Sequence, residues 1–250
     1  GKILLTFDDA ASCHYRNVFP ELLKRNLWGL FYVSTLPYRS GKILDVHRIH
    51  LLCGALDGEI LLNTALQLIS EEMIPDSKRK AFTDKTYFNQ KNYEGVTQFK
   101  RLLNYFISYK YREDVIDEVA SVLKYQFGDA ADFYVDLDSL SKMKQEGMIM
   151  GSHGDAHFVM SKLKPEEQLK DLQESFLFLE ESGLADVKTY CHPHGGFHSF
   201  NSDTIRILGD LKVLYSFSVE SCDIEENDFT SSMQHLPRYG CHQFAHGRAS

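Results

Sequence analysis

Two aspartates stand side by side in the stretch LLTFDDA, residues 4–10, just where an apolar run gives out. Neighbouring residues of a strand point to opposite faces, so one packing environment cannot bury both Asp8 and Asp9. A solvated turn would account for them, since Asp is common in turns and at helix N-caps. Three other polar stretches change that balance: SHGDAH (152–157), CHPHGG (191–196) and LPRYG (236–240). His153 and His157 have H-x-x-x-H spacing, which predicts both imidazoles on one side of a helical turn, within reach of one metal ion. Two histidines and one carboxylate, with coordination positions left open, make a catalytic rather than a closed structural site. If one of the paired aspartates is the carboxylate ligand, the other is left to handle protons.

An H-x-x-x-H pair alone is a weak signal in a chain with 11 histidines. His47 and His50, three apart on a predicted helix, come with no carboxylate motif and read as surface or packing residues. Asp155, inside the 153/157 pair, reads as a turn or outer group. Cys191 beside His192 does not read as a nucleophilic pair, because adjacent strand residues point apart.

The elements that must position these residues alternate. Residues 2–7 and 27–35 read as strands, and VFPELLKRN between them as a helix that tolerates Pro20 in its first turn. The alternation resumes with a helix at 136–147, a strand at 148–153, and an amphipathic helix at 164–183. It continues through a strand at 187–196, a helix over NSDTIRILGDL, a strand over KVLYSFSV and a late strand end at HLPRYG. Polar residues gather where the strands end, the arrangement of a (β/α) barrel with its site at that rim. Residues 36–132 break the pattern with two helical stretches, 47–69 and 95–127, around a polar connection at 70–94. They read as a mainly helical insertion between early barrel units of a single 1–250 domain.

The whole chain sets wider bounds. With 250 residues, 43% hydrophobic, it can bury a core without disulfides. A net charge of −8 and the absence of any long basic run argue against nucleic acid or an anionic membrane as the main partner. No stretch approaches the roughly 20 apolar residues of a membrane span. The five cysteines are widely spaced with no C-x-x-C, so free thiols in a reducing compartment are expected. A cytoplasmic location is expected over a secreted one, with an upstream signal or anchor left open.

LLTFDDA, then NLWGLFYV, LDSLSKMKQEGMIMGSHGDAHFVMSKL and CHPHGGF resemble, in order and spacing, the polysaccharide deacetylases of carbohydrate esterase family 4, the NodB-homology domain. The likeness covers about 2–35 and 133–240. It implies a distorted (β/α) barrel of about seven units and metal-dependent hydrolysis of an acyl, usually N-acetyl, group on an amino sugar or glycan. By the same resemblance Asp8 is the catalytic base, and Asp9, His153 and His157 are the metal ligands. Zinc is the expected ion, with Co2+, Mn2+ or Ni2+ as alternatives. The family's oxyanion N–H maps to His194 in the turn Pro193-His194-Gly195.

Two departures stand out. Where many members carry an arginine beside the base this chain has Cys191, and in one branch an LPR arginine serves, here Arg238. The family's late L-x-H general acid is not plainly present, so His194, His198 and His242 are all candidates to protonate the leaving amine. Pro193, Gly195, His198 and His242 are the expected substrate contacts. The expected partner is an acetylated amino sugar, a glycan or a nucleotide-linked sugar. A hydrolase of non-sugar amides on the same fold, and a silent glycan-binding module, are the alternatives.

Overall fold

The computed structural model describes residues 2–74, 94–245 and 247. Most of the polar connection expected at 70–94 lies outside the described residues. The chain divides into two compact units, Gly1–Lys42 with Ala130–Ser250, and Ile43–Asp129.

The first unit is built on five strands: β1 (Thr6–Phe7), β2 (Leu30–Val33), β3 (Ile149–Ser152), β4 (Thr189–Cys191) and β5 (Tyr215–Phe217). They pair in chain order and all run parallel. All four residues of β2 are buried, as a parallel strand covered on both faces requires. Its side chains alternate between two cores. Phe31 and Val33 pack with Phe19, Leu22, Leu140, Met143 and Met150, under the helices Phe19–Lys24 and Leu137–Gln145. Leu30 and Tyr32 turn the other way, toward Cys191, Phe217 and Leu236. Tyr32 reaches over Gly151, where a Cβ would stand 2.6 Å from its ring, to place its hydroxyl 2.9 Å from Thr189 Oγ1. A side chain at that point of β3 would cut this link.

The sheet is curled. Leu236 bridges to Phe217 at the β5 edge, and two residues later Arg238 Nη1 donates to Thr6 Oγ1 of β1 at 2.9 Å. Laid flat at ~4.8 Å per strand, those edges would stand roughly 24 Å apart, far beyond one side chain. The parallel α/β expectation is met, although among the described residues there are five strands and two isolated bridges against about seven expected units. Past β5 the chain makes short turns at Asp228–Ser231, Met233–His235 and Cys241–Gln243. The first strand is also shorter than expected: β1 is an edge strand of two residues, Thr6 and Phe7, with one further bond from Leu30 N–H to Leu5 O at 2.9 Å, and Ile3, Leu4 and Leu5 are exposed.

The second unit is helical: Asp45–Ala55, Gly58–Leu68, Glu94–Arg101 running on through Leu102–Phe106, and Tyr109–Val122. Asp57 splits the 47–69 stretch into two helices because its carboxylate accepts the N–H groups of Glu59 and Ile60, capping the second. The core is apolar, with Ile49, Leu52, Leu61, Phe99, Leu103, Ile116 and Val119 buried. His47, on the first of these helices, is buried, and His50 is exposed. Arg112, 1% exposed, pairs with Asp45 at 2.9 Å and lies over the Tyr109 ring. Arg48 pairs with Asp45 at 3.4 Å and with Asp117.

Candidate metal centre

The backbone answers why two adjacent carboxylates can serve one site. After β1 the chain turns left-handed at two successive residues, Asp9 (φ 74°) and Ala10 (φ 51°), and leaves strand geometry. Such a conformation costs a non-glycine residue on the order of 1–3 kcal/mol and persists only where its surroundings enforce it. Ala10 is held by a bond from Val135 N–H to its carbonyl at 2.9 Å.

His153 extends the β3 ladder, its N–H bonded to Val33 O at 2.9 Å. His153 Nδ1 lies 2.8 Å from the carbonyl oxygen of Cys191. A carbonyl only accepts, so Nδ1 carries the proton and Nε2 presents a lone pair. That Nε2 is 3.6 Å from Asp9 Oδ1, and His157 Nε2 is 3.4 Å from the same oxygen. The two rings stand edge-on, centroids 4.8 Å apart. Donor atoms of Asp9, His153 and His157 all lie within 4.8 Å of one another. Two donors each 2.0–2.1 Å from a tetrahedral ion stand roughly 3.3 Å apart. The residues present fit a divalent cation held by one carboxylate and two neutral imidazoles.

The route to that geometry differs from the expected helical turn. Residues 153–157 form a loop, with Gly154 (φ 76°) and His157 (φ 54°) left-handed. The histidines meet because the loop folds back, not because four residues make a helical turn.

Asp8 faces a different partner. Arg238 Nη1 donates to its Oδ1 at 2.9 Å and Nη2 to Oδ2, a fork on a carboxylate, and Cys191 Sγ lies 3.6 Å from Oδ2. Burial works against the charge, but the Arg238 guanidinium outweighs it and holds Asp8 below the usual aspartate range. Burial pushes the Cys191 thiol well up, so it stays protonated beside the carboxylate. Burial lowers His14, whose ring packs near Phe7 and Phe31, while the two aspartates pull the other way.

At the third turn Pro193 is buried, and His194 (φ 63°) and Gly195 (φ 71°) are both left-handed. The His194 ring stands 4.9 Å from that of His157, so this turn adjoins the donor cluster. His198 is exposed, packed over Gly196, and His242 is exposed on the Cys241–Gln243 turn, folded over Gly240. Contacts thus link Asp8, Asp9, His153, His157, His194 and Arg238, and His198 and His242 each pack over a glycine turn. The sequence reading did not single out Asp171, a buried carboxylate that accepts the N–H groups of Asp155 and Ala156, both at 3.0 Å. Burial pushes its pKa up to about 7, against the pull of those two bonds. A signal existed: Asp171 lies on the buried face of the Pro165–Glu181 helix, with Gln168, Leu172, Ser175, Phe176 and Leu179.

Comparison with known proteins supplies independent findings. The family model "Polysaccharide deacetylase" matches residues 113–215. No curated protein matches the chain. Among solved structures, the Streptococcus pyogenes deacetylase PplD, in complex with acetate, aligns with a TM-score of 0.55 at 14% identity, over 94% of this chain and 62% of that one. This chain therefore spans less than two thirds of that protein, and the likeness at this identity speaks for the fold. The BpsB deacetylase domain from Bordetella bronchiseptica aligns with a TM-score of 0.47 at 15% identity, over 95% of this chain and 70% of that one. The family match takes in His153, His157 and the 191–196 turn but not Asp8, Asp9 or Arg238. Residues 113–215 match the polysaccharide deacetylase family model, and the parallel α/β fold is like that of the Streptococcus pyogenes deacetylase.

Proposed function

We propose that this chain is a metal-dependent deacetylase that hydrolyses an N-acetyl group of an amino sugar or glycan to acetate and a free amine. The observation that carries the reading is the convergence of Asp9, His153 and His157 donor atoms within 4.8 Å, beside a second carboxylate clamped by a guanidinium. A divalent ion on those three residues, zinc before cobalt, manganese or nickel, would polarise the acyl oxygen and lower the pKa of water to about 7. Asp8 stays ionised under Arg238 and accepts the proton of the attacking water. Arg238 fixes both carboxylate oxygens, so the base is oriented before substrate arrives. The His194 N–H donates to the developing oxyanion, with Pro193 and Gly195 setting its turn. His194, His198 or His242 returns a proton to the leaving nitrogen. We take the chain as one deacetylase-like domain in which 36–132 is an insertion.

Elemental analysis of the wild type beside His153→Ala, followed by assay of acetate release from N-acetylglucosamine oligomers, tests this. Near-stoichiometric divalent metal lost in the variant, with acetate released by the wild type, is expected. A wild type that stays metal-free after exposure to zinc or cobalt overturns the hydrolase. Metal binding with no acetate from acetylated sugars moves the substrate to non-sugar amides.

A further inference from the structure

The loop that carries both histidines has no regular structure, yet its backbone is fully bonded from His153 to the N–H of Ala156. On one side it leans on the end of β2. Val33 O accepts the His153 N–H, the Ser34 hydroxyl donates to His153 O, and the N–H groups of Thr35 and Leu36 donate to Gly154 O and Asp155 O. The Asp155 carboxylate takes the Thr35 hydroxyl at 2.6 Å and the Arg39 guanidinium, so it secures the same side. On the other side stands the Pro165–Glu181 helix. Ser175 meets Ser152, whose hydroxyl accepts the Gly154 N–H. Asp171 takes the two remaining donors, Asp155 N–H on Oδ2 and Ala156 N–H on Oδ1.

We propose that Asp171 is the positioning residue of the two-histidine loop, holding His157 where it and His153 can bind one metal ion together with Asp9. The inference rests on the metal reading above. It stands on geometry. His153 is fixed by the β3 ladder, but His157 comes after it, beyond a left-handed Gly154, where no strand or helix sets its place. Two successive N–H groups point at one carboxyl group, and its two oxygens accept one each, so both are satisfied at once. The approach is close: a Cβ on Gly154 would stand 2.9 Å from Asp171 Oδ2. Asp171 is 5% exposed and lies mid-helix, so the helix axis dictates where the nest is held. An asparagine there would offer one oxygen and turn an NH2 group toward the second N–H, a donor facing a donor. Loosening outer partners of metal ligands costs about 10–100-fold in metal affinity.

The test is Zn2+ affinity of the whole chain, by competition with a chromophoric chelator, for wild type, Asp171→Asn and Leu208→Ala. Leu208 belongs to the core that includes Leu172 and Phe176, so its truncation destabilises the same unit without touching the loop. One Zn2+ bound by the wild type, an affinity about 10–100-fold weaker in Asp171→Asn and an unchanged affinity in Leu208→Ala are expected. Equal affinity in wild type and Asp171→Asn overturns the proposal, as does a loss in both variants that follows their stability. A wild type that binds no Zn2+ removes the metal reading itself, which is a distinct outcome. Should Asp171→Asn not fold, amide exchange in the metal-free wild type decides. Protected Asp155 and Ala156 amides support the holding role, and exchange as fast as in an unfolded peptide overturns it.

Discussion

Each unit holds a knot of charge at least partly out of water, and the two knots are built differently. In the 43–129 unit two guanidiniums, Arg48 and Arg112, meet two carboxylates, Asp45 and Asp117, so the charge is matched within the protein. At the strand ends of the other unit, two adjacent carboxylates part company: Asp8 takes the Arg238 guanidinium, and Asp9 faces imidazoles. Burying charge is costly unless it is paired. The matched knot is complete as a structural joint. In the other, donor atoms of Asp9, His153 and His157 converge within 4.8 Å of one another, the arrangement the proposed cation would use.

The sharpest way to break that contrast is Asp8→Asn. If Asp8 is a base, kcat for acetate release falls by about 10²–10⁴ while bound metal is retained; an unchanged rate would make the Arg238 pair a structural joint like the other. Next in size is Arg112→Ala, which leaves Asp45 without its most buried partner. Urea unfolding should show a loss of about 3 kcal/mol, with metal stoichiometry unchanged; a loss under ~1 kcal/mol would mean that the matched knot is mostly solvated.

A smaller effect comes from His192, which is buried, stacked on Phe200, and bonded through Nε2 to Gln234 O at 2.8 Å. Burial lowers its pKa to about 3, so it is neutral in the fold and charges only on unfolding. The unfolded state therefore takes up the proton first as pH drops. Stability is full above about pH 6.5 and declines below it by about 1 kcal/mol per pH unit, until the folded group also protonates. His192→Gln should flatten that part of the stability–pH curve, and an unaltered slope would assign it to other groups. Smallest is Ala10→Gly. It removes left-handed strain of about 1–2 kcal/mol but also a buried methyl and some chain stiffness, so a melting temperature within a few degrees of wild type is expected.

Much of this was legible in the residues. The alternation of apolar runs and amphipathic stretches located β2 to β5 and the helices between them, because buried parallel strands and one-faced helices leave a periodic trace. The polar strand ends marked the two histidines and the aspartate pair, while the choice of Asp9 over Asp8 as ligand and the role of Arg238 came only through the family resemblance. Three things were harder to read. The left-handed turn at Asp9 and Ala10 is carried by residues that do not advertise it. The break at Asp57 needed its capping role to be weighed against helical periodicity on both sides. Asp171 looked like one more charge on a charged helix until its place on the buried face was known, since a carboxylate reads as solvated unless the face is counted residue by residue.

The Asp8–Arg238 clamp ties positions 230 residues apart. A ribosome adding 5–20 residues per second needs on the order of tens of seconds to deliver the second partner after the first. Throughout that interval, and in any product truncated before Arg238, the nascent chain holds an acidic group that cannot be buried at low cost. The Asp8–Arg238 pair therefore cannot form until Arg238 has been made, and a chain cut short before it holds Asp8 without that guanidinium.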